Sequence, residues 1–214
     1  MTVRPRIAVV DYGAGNLVSI DQALTTVGAD VVLVRDPEAL RAADGLIVPG
    51  VGAARPAMAR LESHGLDDPI RTWLAADRPF LGICLGLQLL FDASDEDGST
   101  TLGVVPGRSV ELADAPTLPH IGWNQVERTR PHPLFDGIEP DADFYFVHSY
   151  AGVPATEPDR GDGPGIVLAT TEHGRRFTSA IARGSMLGVQ FHPERSGRDG
   201  LRLLANFVDL VRVA

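Results

Sequence analysis

With 214 residues the chain reads as one domain, 1–214, long enough to bury a core without disulfides or metal ions. A formal net charge of −9 argues against a general nucleic-acid binder and a protein that binds anionic membranes, and leaves room only for a local basic patch. Lysine is absent and all 19 basic residues are arginine, which excludes Schiff-base and P-loop chemistry built on lysine. Cys84 is the only cysteine, so neither an internal disulfide nor a multi-cysteine zinc site can form. No apolar run approaches the ~18 residues of a membrane span, and the start of the chain runs into a strand-like segment without a signal-peptide cleavage pattern. These features describe a reduced, cytoplasmic protein with no metal, no cofactor, and neither nucleic acid nor membrane among its partners.

Residues 6–10 (RIAVV) form an apolar, β-branched run followed by the turn residues Asp11, Gly13 and Gly15. Asn16 is placed to cap a helix in which Leu17, Ile20, Leu24 and Val27 recur at helical spacing. Residues 30–34 read as a second strand, and Asp36-Pro37 opens a short helix with proline at its first position. GLIVPG (45–50) is a third strand ending in a glycine turn, with helices near 53–63 and 67–76. PFLGICLG (79–86) is a fourth strand entering a sharp turn, and LQLLFDA (87–93) continues it as a helix.

Four strand-then-helix units with nearly continuous apolar strands imply a parallel sheet covered on both faces. Strand-like segments near 103–111, 121–128, 143–150, 165–171, 176–182 and 186–191 follow with short connections. A last helix, about 199–212, carries Leu201, Leu204, Phe207, Val208 and Val211 on one face. The predicted class is α/β: a mostly parallel central sheet flanked by helices, with an antiparallel β extension. PATEPDRGDGPG (154–165) reads as a mobile polar loop.

Gly82-Ile83-Cys84-Leu85-Gly86 sits where a buried strand turns into a helix, the nucleophile-elbow pattern with cysteine in place of serine. Glycines two residues to either side remove the Cβ atoms that would collide in so tight a turn. The helix that follows presents its first N–H groups to the sulfur. Taken alone, Cys84 reads equally well as a buried structural thiol. His192-Pro193-Glu194 follows the apolar strand 187–191, and extended geometry would project His192 and Glu194 to one side. A neutral imidazole can take a thiol proton and return it to a leaving amine, while a carboxylate behind it fixes the tautomer. That pair alone reads as a surface histidine and glutamate in a loop; beside a cysteine elbow it reads as catalytic. Pro49-Gly50-Val51-Gly52 ends the third strand, and its backbone N–H groups, with that of Leu85, are candidate donors to a tetrahedral oxyanion.

GICLG with downstream FHPE resembles the class I (triad-type) glutamine amidotransferases. DYGAGNL (11–17), PGVGA (49–53), PHIGWNQ (119–125), YFVHSY (145–150) and GVQFHPERSG (188–197) resemble, within that family, the HisH-type glutaminase subunits of imidazole glycerol phosphate synthase. The resemblance spans about residues 6–213 and implies a flavodoxin-like fold. It makes Cys84 the nucleophile, His192 the acid/base and Glu194 its orienter, with Gly50, Val51, Gly52 and Leu85 framing the oxyanion. Gln88, one helical turn past Cys84, is then a glutamine contact, Ser149 and Tyr150 supply backbone contacts, and Glu96 takes the substrate ammonium. Arg195 stands where many members carry lysine, and Thr117 and Leu118 precede PHIGWN where lysine is also common.

What the resemblance implies chemically is hydrolysis of L-glutamine to glutamate and ammonia through a thioester at Cys84. The ammonia would pass to a separate (β/α)8-barrel cyclase subunit of the HisF type in a heterodimer. That partner would convert the ribulosyl aminoimidazole-carboxamide precursor PRFAR to imidazole glycerol phosphate and AICAR in histidine biosynthesis. Tyr12, Asn16, Trp123 and Asn124 are the residues expected on the partner-facing surface, an indole on such a rim being a good anchor. The peptide at Val51, flanked by glycines that tolerate rotation, is the expected switch between a closed and an open oxyanion hole. Competing readings are a glutaminase of another pathway, a non-catalytic scaffold that keeps the fold, and a cysteine hydrolase of other amides or esters.

Overall fold

The computed structural model describes residues 4–155 and 165–214; the predicted loop 154–165 lies outside the described residues over 156–164. Its first half alternates strand and helix: β1 (Arg6–Val10), α1 (Leu17–Thr26), β2 (Asp30–Val34), α2 (Pro37–Leu40), β3 (Gly45–Gly50), α3 (Ala54–Ser63), α4 (Asp67–Ala75) and β4 (Phe80–Cys84). These strands pair in parallel in the order β2-β1-β3-β4. Asn16 does cap α1, its side-chain oxygen accepting from the Ser19 N–H at 3.3 Å.

Successive strand residues point to opposite faces, and the core divides accordingly. Ile7, Val9, Ile47, Leu81 and Ile83 join one hydrophobic cluster with residues of α1 and of the last helix. Ala8, Val10, Leu46, Val48 and Phe80 join a second cluster with Met58, Leu61, Ile70 and Trp73. A strand buried on both faces has no polar side to alternate with, which is why these segments read as unbroken apolar runs.

Past Cys84 come α5 (Leu85–Gln88), β5 (Phe91–Ser94), β6 (Val105–Glu111), β7 (His120–Gln125), β8 (Glu127–Arg128), β9 (Asp143–His148), β10 (Tyr150–Pro154), β11 (Val167–Glu172), β12 (Arg176–Arg183), β13 (Met186–Val189) and α6 (Gly197–Val213). The main sheet continues β4-β13-β12-β11-β8, with β13 parallel to β4 and the remaining pairs antiparallel. This is the predicted antiparallel extension. β10-β6-β5 and β7-β9 form two smaller sheets. Helix α6 buries Leu204, Phe207, Val208 and Val211 as expected, adds Leu203, and leaves Leu201 half-buried. No helix among the described residues is long and apolar enough to cross a membrane.

Three segments depart from the sequence reading. The helix predicted over 87–93 stops at Gln88, and Phe91–Ser94 is a strand. Leu89, Leu90 and Phe91 are all fully buried, so this stretch has no polar face to turn to water. Its carbonyls are instead taken by the N–H groups of Leu102, Gly103, Val104 and Val105. The single strand expected over 143–150 breaks at Ser149: His148 pairs with β7 while Tyr150 pairs with β6. The segment 121–128 likewise divides, because β7 pairs with β9 and β8 joins the edge of the main sheet.

Candidate active site

Cys84 is the last residue of β4 and sits at φ 54°, ψ −107°, a left-handed backbone conformation that ordinary side chains avoid at a cost of about 1–3 kcal/mol. The turn is that tight because α5 must start at once and pack back on the sheet. A Cβ on Gly82 would lie 2.6 Å from the Gly86 carbonyl oxygen, and one on Gly86 would overlap the Val48 carbonyl oxygen. Both glycines of the elbow are therefore required by contact rather than by φ. The register sets Cys84 opposite Gly50 of β3, while Val189 of β13 pairs with Ile83. Nucleophile candidate, glycine loop and the His192 segment thus meet at the carboxyl ends of parallel strands, where open α/β sheets place their sites.

His192 is buried, and its Nδ1 lies 2.8 Å from Glu194 Oε1. Extended backbone reaches only as far as His192; a 3-10 turn over Pro193–Arg195 then brings Glu194 back under the ring. The predicted pairing is therefore made by a turn and not by strand alternation. The backbone that carries the ring is fixed on both sides of it, since the His192 main-chain N–H donates to the Tyr145 carbonyl at 2.8 Å and the Ser196 hydroxyl donates to the His192 carbonyl at 2.6 Å. His192 Nε2 is buried and closes no hydrogen bond among the described residues. Burial opposes a charge on this ring, but the Cys84 sulfur and the Glu194 carboxylate outweigh it and raise the pKa to about 10.

A cavity of about 180 Å³ opens over Cys84 and Leu85, walled by Val51 and Gly52, Gln88, Glu96, Pro119 and the 147–150 junction. It is small beside the ~300–1,000 Å³ of drug-sized pockets, as suits a single small molecule. The Gln88 side-chain amide donates to the Tyr150 carbonyl at 2.7 Å and to Gln190 Oε1 at 3.1 Å. The Ser149 carbonyl is engaged by the Leu112 N–H. Glu96 reaches the cavity wall, where partial burial and neighbouring Asp97 raise its carboxyl pKa. A carboxylate so placed gains most from a bound cation.

In the glycine loop, Val51 is 47% exposed at the cavity rim and Gly52 adopts φ 90°. A Cβ on Gly50 would overlap the Tyr12 hydroxyl and come within 2.9 Å of Leu85 Cβ, so a substitution there perturbs packing as well as any peptide rotation.

Of the four residues expected to face a partner, Tyr12 does not. It is 1% exposed, and its hydroxyl donates to the Pro49 carbonyl at 2.8 Å, so it props the glycine loop from beneath. The phenol is long enough to reach the third strand, and an apolar ring gains more under that loop than in water. Asn16 is exposed but spends its side-chain oxygen on the α1 cap. Asn124 is half-buried and donates to the Glu172 carbonyl at 2.9 Å. Trp123 is 56% exposed, beside Ile121 at 61%, with one ring edge against Tyr145. Arg195 lies over the same Tyr145 ring, its guanidinium 4.2 Å from the ring centre.

Sequence reasoning missed Gln190 and His148. Gln190 is fully buried and its amide donates to Cys84 Sγ at 3.6 Å. The spacing Gln190, His192, Glu194 was a signal that stood in the same motif. His148 lines the cavity and makes edge-on and tilted ring contacts with His120, Phe146 and Phe177. Its Nδ1 faces the Tyr150 carbonyl at 2.9 Å, which can only accept, so Nδ1 carries the proton and Nε2 accepts from His120 Nδ1 at 3.3 Å. Burial first, then the neighbouring histidines, lowers His148 to about 3 and His120 to about 4, leaving both neutral. Among the described residues, no three His, Cys, Asp or Glu side chains converge to hold a metal ion.

The family model described as Glutamine amidotransferase class-I matches residues 8–210. The chain is 49% identical to the imidazole glycerol phosphate synthase subunit HisH of Moorella thermoacetica, covering 99% of this chain and 98% of that one. It is 48% identical to the same-named protein of Symbiobacterium thermophilum over 96% of this chain and 94% of the relative. The solved structure of PurLQS from Thermotoga maritima shares the fold at TM-score 0.73 and 17% identity, over 97% of this chain and 99% of that one. A cysteine elbow, a carboxylate-backed histidine and full-length likeness agree: the chain belongs to the class I glutamine amidotransferases, of the HisH type.

Proposed function

We propose that the chain, as a single domain over 1–214, is the glutaminase subunit of an imidazole glycerol phosphate synthase. What supports this reading is that Cys84 lines the cavity, that its sulfur is near enough to His192 to raise that ring's pKa, and that Glu194 is bonded to the same ring. The Cys84 sulfur attacks the side-chain amide carbon of L-glutamine, and the S–H proton passes by way of His192 Nε2 to the departing nitrogen. Ammonia leaves and a γ-glutamyl thioester remains on Cys84. His192 then takes a proton from water, which cleaves the thioester to glutamate and restores the thiol. Backbone N–H groups from the Gly50–Gly52 loop and Leu85 take the developing negative oxygen. Gln88, Glu96, Ser149 and Tyr150 bound the glutamine. Incubation with a glutamine-like electrophile, followed by peptide mass spectrometry, is expected to find the adduct on Cys84. An adduct elsewhere with Cys84 unmodified rejects the assignment.

The names of the relatives support a partner subunit that consumes the ammonia. We assign that partner as a (β/α)8-barrel cyclase of the HisF type, forming a heterodimer and converting PRFAR to imidazole glycerol phosphate and AICAR. The exposed indole of Trp123, next to exposed Ile121 on the strand that leads to the cavity wall, is the anchor offered to it. Trp123→Ala should weaken the complex by about tenfold or more, read by titration calorimetry, and lower glutamine-dependent turnover in parallel. Unchanged affinity and turnover would remove Trp123 from the interface. The other readings keep less support: a scaffold has no use for an intact His192–Glu194 pair, and a general cysteine hydrolase leaves the HisH-type likeness unexplained.

A further inference from the structure

We propose that Gln190 is a positioning residue for the nucleophile, holding the Cys84 sulfur through an N–H···S hydrogen bond whose direction is set by Gln88. The inference rests on the reading of Cys84 as nucleophile and adds a residue to it. Gln190 follows β13, is 0% exposed, and lies between Val189 and Phe191, which are also fully buried. An amide so enclosed is costly unless both its ends are bonded.

The orientation of that amide follows from a chain of donors and acceptors. The Tyr150 carbonyl can only accept, so the Gln88 atom 2.7 Å from it is Nε2. That same nitrogen lies 3.1 Å from Gln190, whose facing atom must then be Oε1. Gln190 is left with its Nε2 toward Cys84 Sγ, at 3.6 Å. On the other side, the sulfur lies 4.0 Å from the Val147 carbonyl, which can accept from a thiol and has nothing to offer a thiolate. The two contacts have opposite preferences. Val147 suits the protonated sulfur, whereas an N–H donor binds the anion more strongly than the neutral atom. Gln190 therefore favours the reactive form and restrains the sulfur's position at the strained elbow, 106 residues away in sequence.

The test is the pH dependence of Cys84 alkylation by iodoacetamide in the full chain, alongside glutaminase kcat and KM of the partner complex. In Gln190→Leu the midpoint of the alkylation profile should rise by about one pH unit, a tenfold loss of thiolate of the size of one hydrogen bond to a charged acceptor. kcat should fall about tenfold, with KM changed by less than about threefold. Gln190→Glu keeps the shape, removes the donor and adds a negative charge, so its midpoint should rise further; it carries the test if the leucine variant does not fold. Midpoints unmoved in the folded variants overturn the role of Gln190. Glutaminase activity surviving Cys84→Ala instead overturns the nucleophile reading beneath it.

Discussion

Cys84→Ala should lower ammonia release from glutamine by at least about 10⁴-fold, because the chain holds no second thiol to form the thioester. The side chain is small, so the fold and the partner complex should survive, and free ammonium supplied to that complex should still be consumed. That combination separates loss of the nucleophile from loss of structure. His192→Ala should fail to a similar degree, since among the described residues Nε2 is a buried imidazole nitrogen left without a partner, Nδ1 being bonded to Glu194. Glu194→Gln should be milder, about 10²-fold, as it weakens the imidazolium and its orientation but leaves the ring. Ammonia release by Cys84→Ala within tenfold of the unsubstituted protein would end the assignment.

Gly86→Ala should be the most destabilising single methyl in the chain's active-site region. The added Cβ meets the carbonyl oxygen of Val48, in the middle of the central sheet, where backbone cannot withdraw without breaking β3 from β4. The expected loss is about 4 kcal/mol or more, on the order of 10 °C in Tm for a chain of this size, or no soluble protein at all. Gly98→Ala is the contrast. Gly98 has φ 65° but no atom within 4 Å of the added Cβ, so it bears only the backbone strain, about 1 kcal/mol or a few degrees. Thermal unfolding of the two variants distinguishes contact from conformation. Equal, small shifts would mean that the elbow relaxes and that its glycines are not held by packing.

Much of the candidate site is legible in the sequence because it is encoded over short distances. The glycines flanking Cys84 follow from the sterics of one turn, and the apolar runs at 6–10, 45–50 and 80–84 follow from burial on both sheet faces. His192 and Glu194 do meet, through a 3-10 turn instead of the strand alternation that their spacing suggests. The helix expected over 87–93 failed where periodicity was weakest, in a solid run of leucine and phenylalanine that either element can bury.

The nucleophile candidate, its histidine and carboxylate, the parallel core and the family are all written along the chain, in spacing, residue type or likeness. Three outcomes arise from long-range packing: Tyr12 bonds the Pro49 carbonyl instead of facing a partner, His148 and His120 stand neutral at the cavity wall and beside it, and Gln190 reaches the Cys84 sulfur. Those outcomes depend on which strands become neighbours: β13 beside β4 brings Gln190 to Cys84, and the break at Ser149 turns the Tyr150 carbonyl toward Gln88. Local periodicity carries no information about such pairings, because a polar side chain spaced for one face can find its partner only after distant strands have been brought into register.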